Sequence, residues 1–214
     1  MTEEQAQDWL RANFSVSRET WEQLEAFVAF LRLEALSQNL IAASTLDSIW
    51  SRHIVDSAQL LKLLPQQLEK NTSWIDLGSG AGFPGIVAAI LSDYHVTLVE
   101  SRNRRIDYLQ RAIEMLDLES RVTLADMALE RLETAPYSVI SARAFAPLAR
   151  LFELAARFST DKTSWLLPKG RNADKEWREA QSGWTGNFRI EPSVTEAESG
   201  ILVGQLFAKR QKPR

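Results

Sequence analysis

The residues best suited to chemistry lie in one run, Asp76-Leu77-Gly78-Ser79-Gly80-Ala81-Gly82-Phe83-Pro84-Gly85. Gly78, Gly80 and Gly82 allow a backbone to approach a ligand closely, and Pro84 suits the first turn of a following helix. Glycines alone fit any nucleotide-like ligand, or simply a tight turn. Two neighbours narrow the choice. Phe83 replaces the last glycine of the dinucleotide fingerprint, and Asp76 stands directly before the loop, where a carboxylate repels pyrophosphate but attracts an ammonium or sulfonium. Together they point to S-adenosyl-L-methionine as the ligand. Glu100, at the end of the next strand-like run, can accept hydrogen bonds from both ribose hydroxyls; the alternative is an acidic strand end facing solvent. Asp126 falls at the level of an adenine, with Ala128 and Leu129 flanking the base, and Asp126 can equally cap a helix.

Such a loop needs a strand before it and a helix after it. Trp74 to Leu77, His95 to Glu100, Val122 to Ala125, Ser138 to Ala142 and Ser164 to Leu167 read as strands, with helices over Pro84 to Leu91, Asn103 to Leu116 and Pro147 to Phe158. The alternation predicts an α/β fold whose mostly parallel sheet carries helices on both faces, a Rossmann-like class I methyltransferase fold. Asn187 to Glu191 and Ile201 to Lys209 have no helical pattern between them, which predicts an antiparallel edge. Upstream, Trp21, Leu24, Val28 and Leu31 recur at helical spacing over Ser17 to Leu36, with Ser17 as N-cap, and a second helix is expected over Asp47 to Leu64. Pro65 and the polar stretch Gln66 to Thr72 break that pattern. The expected organisation is a helical N-terminal extension over residues 1–70 and a cofactor domain over 71–214.

The whole chain sets bounds. Its 214 residues, 45% of them hydrophobic, suffice for a sizeable core. Cysteine is absent, which removes disulfides, thiolate metal ligands and cysteine nucleophiles and suits a reducing compartment; the expectation is a cytoplasmic monomer with no metal. The start is acidic rather than signal-like, and no apolar run approaches the ~20 residues of a membrane span. A net charge of −3 argues against non-specific coating of nucleic acid but leaves room for local basic faces. Arg102, Arg104 and Arg105 form one such cluster and Lys209-Arg210-Gln211-Lys212-Pro213-Arg214 another, each of which reads equally as a solvated surface.

The acceptor is constrained by what is missing. Transfer to an exocyclic amine usually draws on an acid or Asn, two prolines and an aromatic residue after the fourth strand; this chain has Ser141-Ala142-Arg143-Ala144-Phe145-Ala146-Pro147 there. Methylation at a pyrimidine C5 needs a cysteine nucleophile, and there is none. An acceptor that is already nucleophilic remains, such as guanine N7, for which alignment and desolvation suffice without a general base. Arg143 reads either as a structural arginine paired to an acid or as a fork touching cofactor and acceptor. Arg52, His53 and Lys169 can steer a phosphate, with His53 equally readable as a satisfied helix residue.

Arg52-His53-Ile54-Val55-Asp56-Ser57, Asp76 to Gly85, Ser141 to Phe145 and Leu167-Pro168-Lys169-Gly170 occur in the order found in the bacterial RsmG (GidB) family, and from about Asn39 to Gly170 the chain resembles it. The resemblance implies guanine-N7 methylation of 16S ribosomal RNA, giving 7-methylguanosine, and cofactor contacts at Gly78, Phe83, Ala128, Leu129 and Arg143. It makes 16S RNA or the small ribosomal subunit the expected partner. Two other readings stay open: a methyltransferase for another substrate, and an RNA-binding assembly protein that keeps a cofactor fold.

Overall fold

The computed structural model describes residues 1–65 and 72–210. It opens with α1 (Glu3–Asn13) and α2 (Arg18–Glu34). Thr2 and Gln5 form a reciprocal capping box on α1, and the Ser17 hydroxyl accepts the Thr20 N–H at the start of α2, as expected. The single helix expected over Asp47 to Leu64 is three pieces instead: a 3-10 stretch (Ala43–Ser48), a π-helical stretch (Trp50–Val55) and α3 (Asp56–Lys62). Glu3 of α1 supplies part of the reason, because its carboxylate accepts the N–H groups of Trp50 and Ser51 at 3.0 and 2.9 Å and so fixes where this run begins. The break expected from Gln66, the division at residue 70 and the tail beyond Arg210 lie outside the described residues.

The remaining elements are β1 (Ser73–Leu77), α4 (Gly85–Leu91), β2 (His95–Val99), α5 (Asn103–Met115), β3 (Val122–Ala125), β4 (Val139–Ala142), α6 (Leu148–Ala155), β5 (Ser164–Gly170), α7 (Ala173–Ala180), β6 (Trp184–Pro192) and β7 (Gly200–Lys209). They build a seven-stranded sheet of order β3-β2-β1-β4-β5-β7-β6. The first five strands of that order run parallel, and β7 lies antiparallel between β5 and β6. The mixed sheet with its antiparallel edge is the fold the alternating pattern predicts. Helix α7 was not among the expected elements, and β6 starts at Trp184 rather than Asn187.

Strand alternation sorts the core onto two faces. Trp74, Val139 and Leu166 face the layer of Leu24, Phe27, Ile86 and Leu109, whereas Ile75, Ile140 and Trp165 face that of Phe152 and Trp177. Helix α4 is buried from Gly85 to Ile90 because it lies between the sheet and helices α2 and α3, which explains why its sequence is apolar all round. A side chain at Gly85 would overlap Leu98 of β2, so glycine there sets how closely α4 seats on the sheet.

On the opposite face Phe152 is fully buried and meets the rings of Trp165, Trp184 and Phe188 at centroid distances of 5.3, 5.7 and 5.6 Å. Phe152→Ala is expected to lower unfolding free energy by roughly 3–5 kcal/mol in a denaturant titration, since rigid rings on three sides leave a cavity that cannot collapse.

Candidate active site

The sheet order reverses at β1, which has β2 on one side and β4 on the other, and ligands of open parallel sheets bind beyond the carboxyl ends at such a point. The glycine loop leaves β1 there. Gly78 and Gly82 have φ of +68° and +88°, a region costly for other residues. The Ser79 N–H donates to the Val99 carbonyl at 3.0 Å, and the Gly80 N–H donates to Glu100 Oε2 at 3.1 Å, so the loop is pinned to the end of β2. Glu100 Oε1 accepts the N–H groups of Ser101 and Arg102 at 2.8 and 3.0 Å.

Beneath the loop lies a buried polar knot. The Trp74 indole donates to the Ser141 hydroxyl at 2.8 Å, that hydroxyl donates to Asp76 Oδ1 at 2.7 Å, and the Gly85 N–H donates to Asp76 Oδ2 at 3.2 Å. Asp76 is fully buried, and burial pushes its carboxyl up to about 6 despite the opposing hydrogen bonds. The expectation that Asp76 faces the positive end of a cofactor is therefore corrected. Both its oxygens are engaged inside the protein, and it acts on the loop from below.

Two cavities open above the strand ends, sharing Ala144 and Phe145 as a wall. The smaller, about 170 Å³, is lined by Gly78, Glu100, Met127, Ala128, Leu129 and Phe145. The larger, about 700 Å³, is lined in part by Arg52, His53, Asp56, Arg143, Lys169 and Glu176. Phe145 packs over Gly78, where a side chain would collide with its ring, and Ala144 is held at φ +53°. The structure thus brings Gly78, Glu100, Ala128 and Leu129 to one cavity and Arg143, Arg52, His53 and Lys169 to the other. Gly80 and Gly82 serve the loop itself: a side chain at Gly80 would meet Arg105, and one at Gly82 would meet Ile86 and Phe27.

Phe83 is 2% exposed and lies behind the site, with Phe27, His53 and Arg143 against its ring at 5.3, 5.1 and 5.0 Å. It supports Arg143 rather than lining either cavity. Asp126 is corrected as a helix cap, because the short 3-10 turn Leu129–Arg131 has Ala128 as its N-cap with no side-chain bond; its own side chain is exposed, directly before Met127 on the wall of the smaller cavity. Lys169 is corrected as a free phosphate-steering cation. Its side chain is 9% exposed, donates to the Ala146 carbonyl and pairs with Glu176, both at 3.1 Å.

Arg143 realises the paired reading and still borders the cavity. Its guanidinium lies 3.6 Å from Asp56 Oδ2 and donates to His53 Nδ1 at 3.1 Å. A guanidinium can only donate, so Nδ1 is the acceptor nitrogen and Nε2 carries the proton, which it donates to the Thr45 hydroxyl at 2.9 Å. Burial, then Arg143 and Arg52, hold the imidazole down to about 3, so His53 is neutral. The β6–β7 connection closes the far side: Arg52 pairs with Glu196 at 2.9 Å, the Thr195 hydroxyl donates to Asp56 at 3.1 Å, and the Val194 N–H donates to Gln59 at 2.9 Å. Asp56, Glu176 and Glu196 went unassigned in the sequence. Only Glu176 left a readable trace, since Ala173, Trp177 and Ala180 form a short apolar stripe on α7.

The fold is that of class I S-adenosylmethionine-dependent methyltransferases. Superposition relates it to the B. subtilis tRNA methyltransferase TrmK, with a TM-score of 0.52 and 16% identity over 68% of this chain and 64% of that one. A variant of MtNAS in complex with S-adenosylmethionine gives a TM-score of 0.58 and 16% identity over 83% and 72% of the two chains.

The chain belongs to the GidB family, described as rRNA small subunit methyltransferase G, whose model matches residues 20–201. It is 50% identical to the ribosomal RNA small subunit methyltransferase G of Zymomonas mobilis, over 99% of this chain and 98% of that protein. It is 54% identical to the protein of the same name from Sphingopyxis alaskensis, over 94% and 85%.

Two buried groups govern the acid behaviour of the site in opposite senses. Below its ordinary value of 6.5 and above about 3, unfolded His53 is protonated while the folded residue is not, so its stabilising contribution is lost as pH falls. Between 3.8 and about 6, folded Asp76 keeps a proton that the unfolded residue releases, so its contribution to stability grows as pH falls. In denaturant titrations from pH 6.5 to 4.5, His53→Gln is expected to flatten the loss of stability and Asp76→Asn to steepen it. Slopes matching the parent protein in both variants would contradict these assignments.

Proposed function

We propose that this chain transfers the methyl group of S-adenosyl-L-methionine to N7 of a guanine in 16S ribosomal RNA, acting in the cytoplasm as a monomer on the RNA or the small ribosomal subunit. No helix among the described residues is long and apolar enough to cross a membrane. We read residues 1–70 as a helical extension that completes the acceptor side of a cofactor domain spanning 71–214.

The walls of the smaller cavity suit the adenosine end of the cofactor. Glu100 accepts three backbone N–H groups, and a carboxylate has about four acceptor positions, so capacity remains for a ribose hydroxyl. Ala128 and Leu129 offer an apolar edge suited to an adenine, and Gly78 exposes backbone where a side chain would intrude. When bound, the cofactor supplies an electrophilic methyl group. The protein's own work is placement: it aligns acceptor and methyl carbon and excludes water.

The observation that carries the N7 reading is the state of the titratable group nearest Arg143. Both ring nitrogens of His53 are committed, one to Arg143 and one to Thr45, and the ring is neutral and 8% exposed. It is not arranged to take a proton from an acceptor. Guanine N7 has none to give, because its in-plane lone pair attacks directly. Arg143, fixed by His53, Asp56 and the Phe83 ring, lines the larger cavity next to the shared wall of Ala144 and Phe145, where its remaining donors can hold the acceptor in line.

Labelled methyl from the cofactor is expected to enter 16S RNA, presented naked or as the small subunit, and chemical cleavage at 7-methylguanosine followed by reverse transcription locates it. Failure of label to enter either form would remove the RNA assignment. Calorimetry separates the non-catalytic alternative, which predicts no binding of S-adenosylmethionine. Arg143→Ala is expected to reduce transfer on the order of a hundredfold or more, as misplacement of reacting atoms does. Its melting temperature should fall only modestly, and undiminished transfer would refute its role.

A further inference from the structure

Helix α7, which the sequence pattern did not disclose, brings Glu176 into the larger cavity beside Lys169. The Lys169 ammonium has three N–H donors; one reaches the Ala146 carbonyl at 3.1 Å, and the ammonium forms an ion pair with Glu176 Oε2 at 3.1 Å. Glu176 Oε2 also accepts the Leu148 N–H at 3.0 Å. Among the described residues, no hydrogen bond takes up the third Lys169 donor or Glu176 Oε1. The pair therefore offers one donor and one acceptor side by side at the cavity wall.

We propose that Lys169 and Glu176 read the Watson–Crick edge of the acceptor base and make the site selective for guanine. The proposal rests on the reading of the protein as a guanine-N7 methyltransferase and names how the base is recognised. Guanine presents O6, an acceptor, next to N1–H, a donor, which complements Lys169 Nζ and Glu176 Oε1 in order. Adenine presents the reverse, an amino donor next to an acceptor nitrogen, and opposes the pair at both positions. Phe145, which lines the same cavity, supplies an aromatic surface on which an extruded base can stack. With the Watson–Crick edge held against α7, N7 lies on the neighbouring edge and stays open to the cofactor side. The close pairing of Lys169 and Glu176 suits this task, since each charge is neutralised by the other before the base arrives and little reorganisation is needed.

The test uses the whole protein and synthetic RNA fragments carrying guanosine or 1-methylguanosine at the modified position. The second base lacks the N1–H donor but keeps N7. The parent enzyme is expected to disfavour 1-methylguanosine on the order of ten- to a hundredfold in kcat/KM, the usual discrimination for a lost base contact. Glu176→Ala should lower transfer to guanosine and shrink that penalty to about twofold or less. Glu176→Gln keeps an acceptor for the Leu148 N–H and therefore the helix contact, and it should shrink the penalty in the same way. Lys169→Met should weaken transfer to guanosine while leaving cofactor binding, read by calorimetry, unchanged.

A parent enzyme indifferent to N1 methylation would overturn the proposal, as would a penalty preserved in both Glu176 variants, which is what a purely structural carboxylate predicts. Absence of transfer by the parent enzyme to unmodified 16S RNA, both naked and within the small subunit, would instead overturn the functional reading itself.

Discussion

The fully buried carboxylate of Asp76 is the constraint around which the site is built. It ties β1 to β4 through the Ser141 hydroxyl and to the first residue of α4 through the Gly85 N–H, and so fixes three elements that meet under the glycine loop. Burying a carboxylate is costly unless its oxygens are satisfied, and every partner here comes from the protein. The loop above follows from this arrangement. With both of its ends held, at β1 and at α4, and its middle pinned to Glu100 on the far side, it has one shape in which to present its backbone.

The larger cavity is organised differently, by paired charges at its walls. Arg143 with Asp56, Arg52 with Glu196 and Lys169 with Glu176 set cations beside acids, and His53 stays neutral chiefly because it is buried and further because it sits between two arginines. Balanced pairs at a partly solvated wall contribute little to stability, and they hold side chains in place for a ligand rich in donors and acceptors. The aromatic layer of Phe27, Phe83 and His53 behind Arg143 gives that guanidinium a rigid backing.

Much of the architecture was legible from local pattern. The strands and the helices over the parallel half follow from alternation and apolar spacing, and the glycine loop announces the ligand because close backbone approach demands that residue type. Glu100 was legible for the same reason, as an acid at a strand end next to the loop. What failed depended on tertiary partners. Asp76 stands directly before the loop, but strand alternation turns it away from the cleft toward Ser141. Asp126 reads as a cap, but the turn after β3 begins later, with Ala128 at its N-cap. Lys169 reads as a free cation until α7 places Glu176 against it. The start of the π-helical stretch from Trp50 to Val55 was hidden as well, because it is held by the Glu3 carboxylate reaching from α1.

The connection between β6 and β7 meets Arg52, Asp56 and Gln59 from the N-terminal helices, so the larger cavity is closed by segments that lie far apart in the chain. The walls of the smaller cavity, from Gly78 to Phe145, emerge much earlier during synthesis. Folding in the order of emergence therefore shapes the smaller cavity first and leaves the larger one open until β7 has been inserted between β5 and β6.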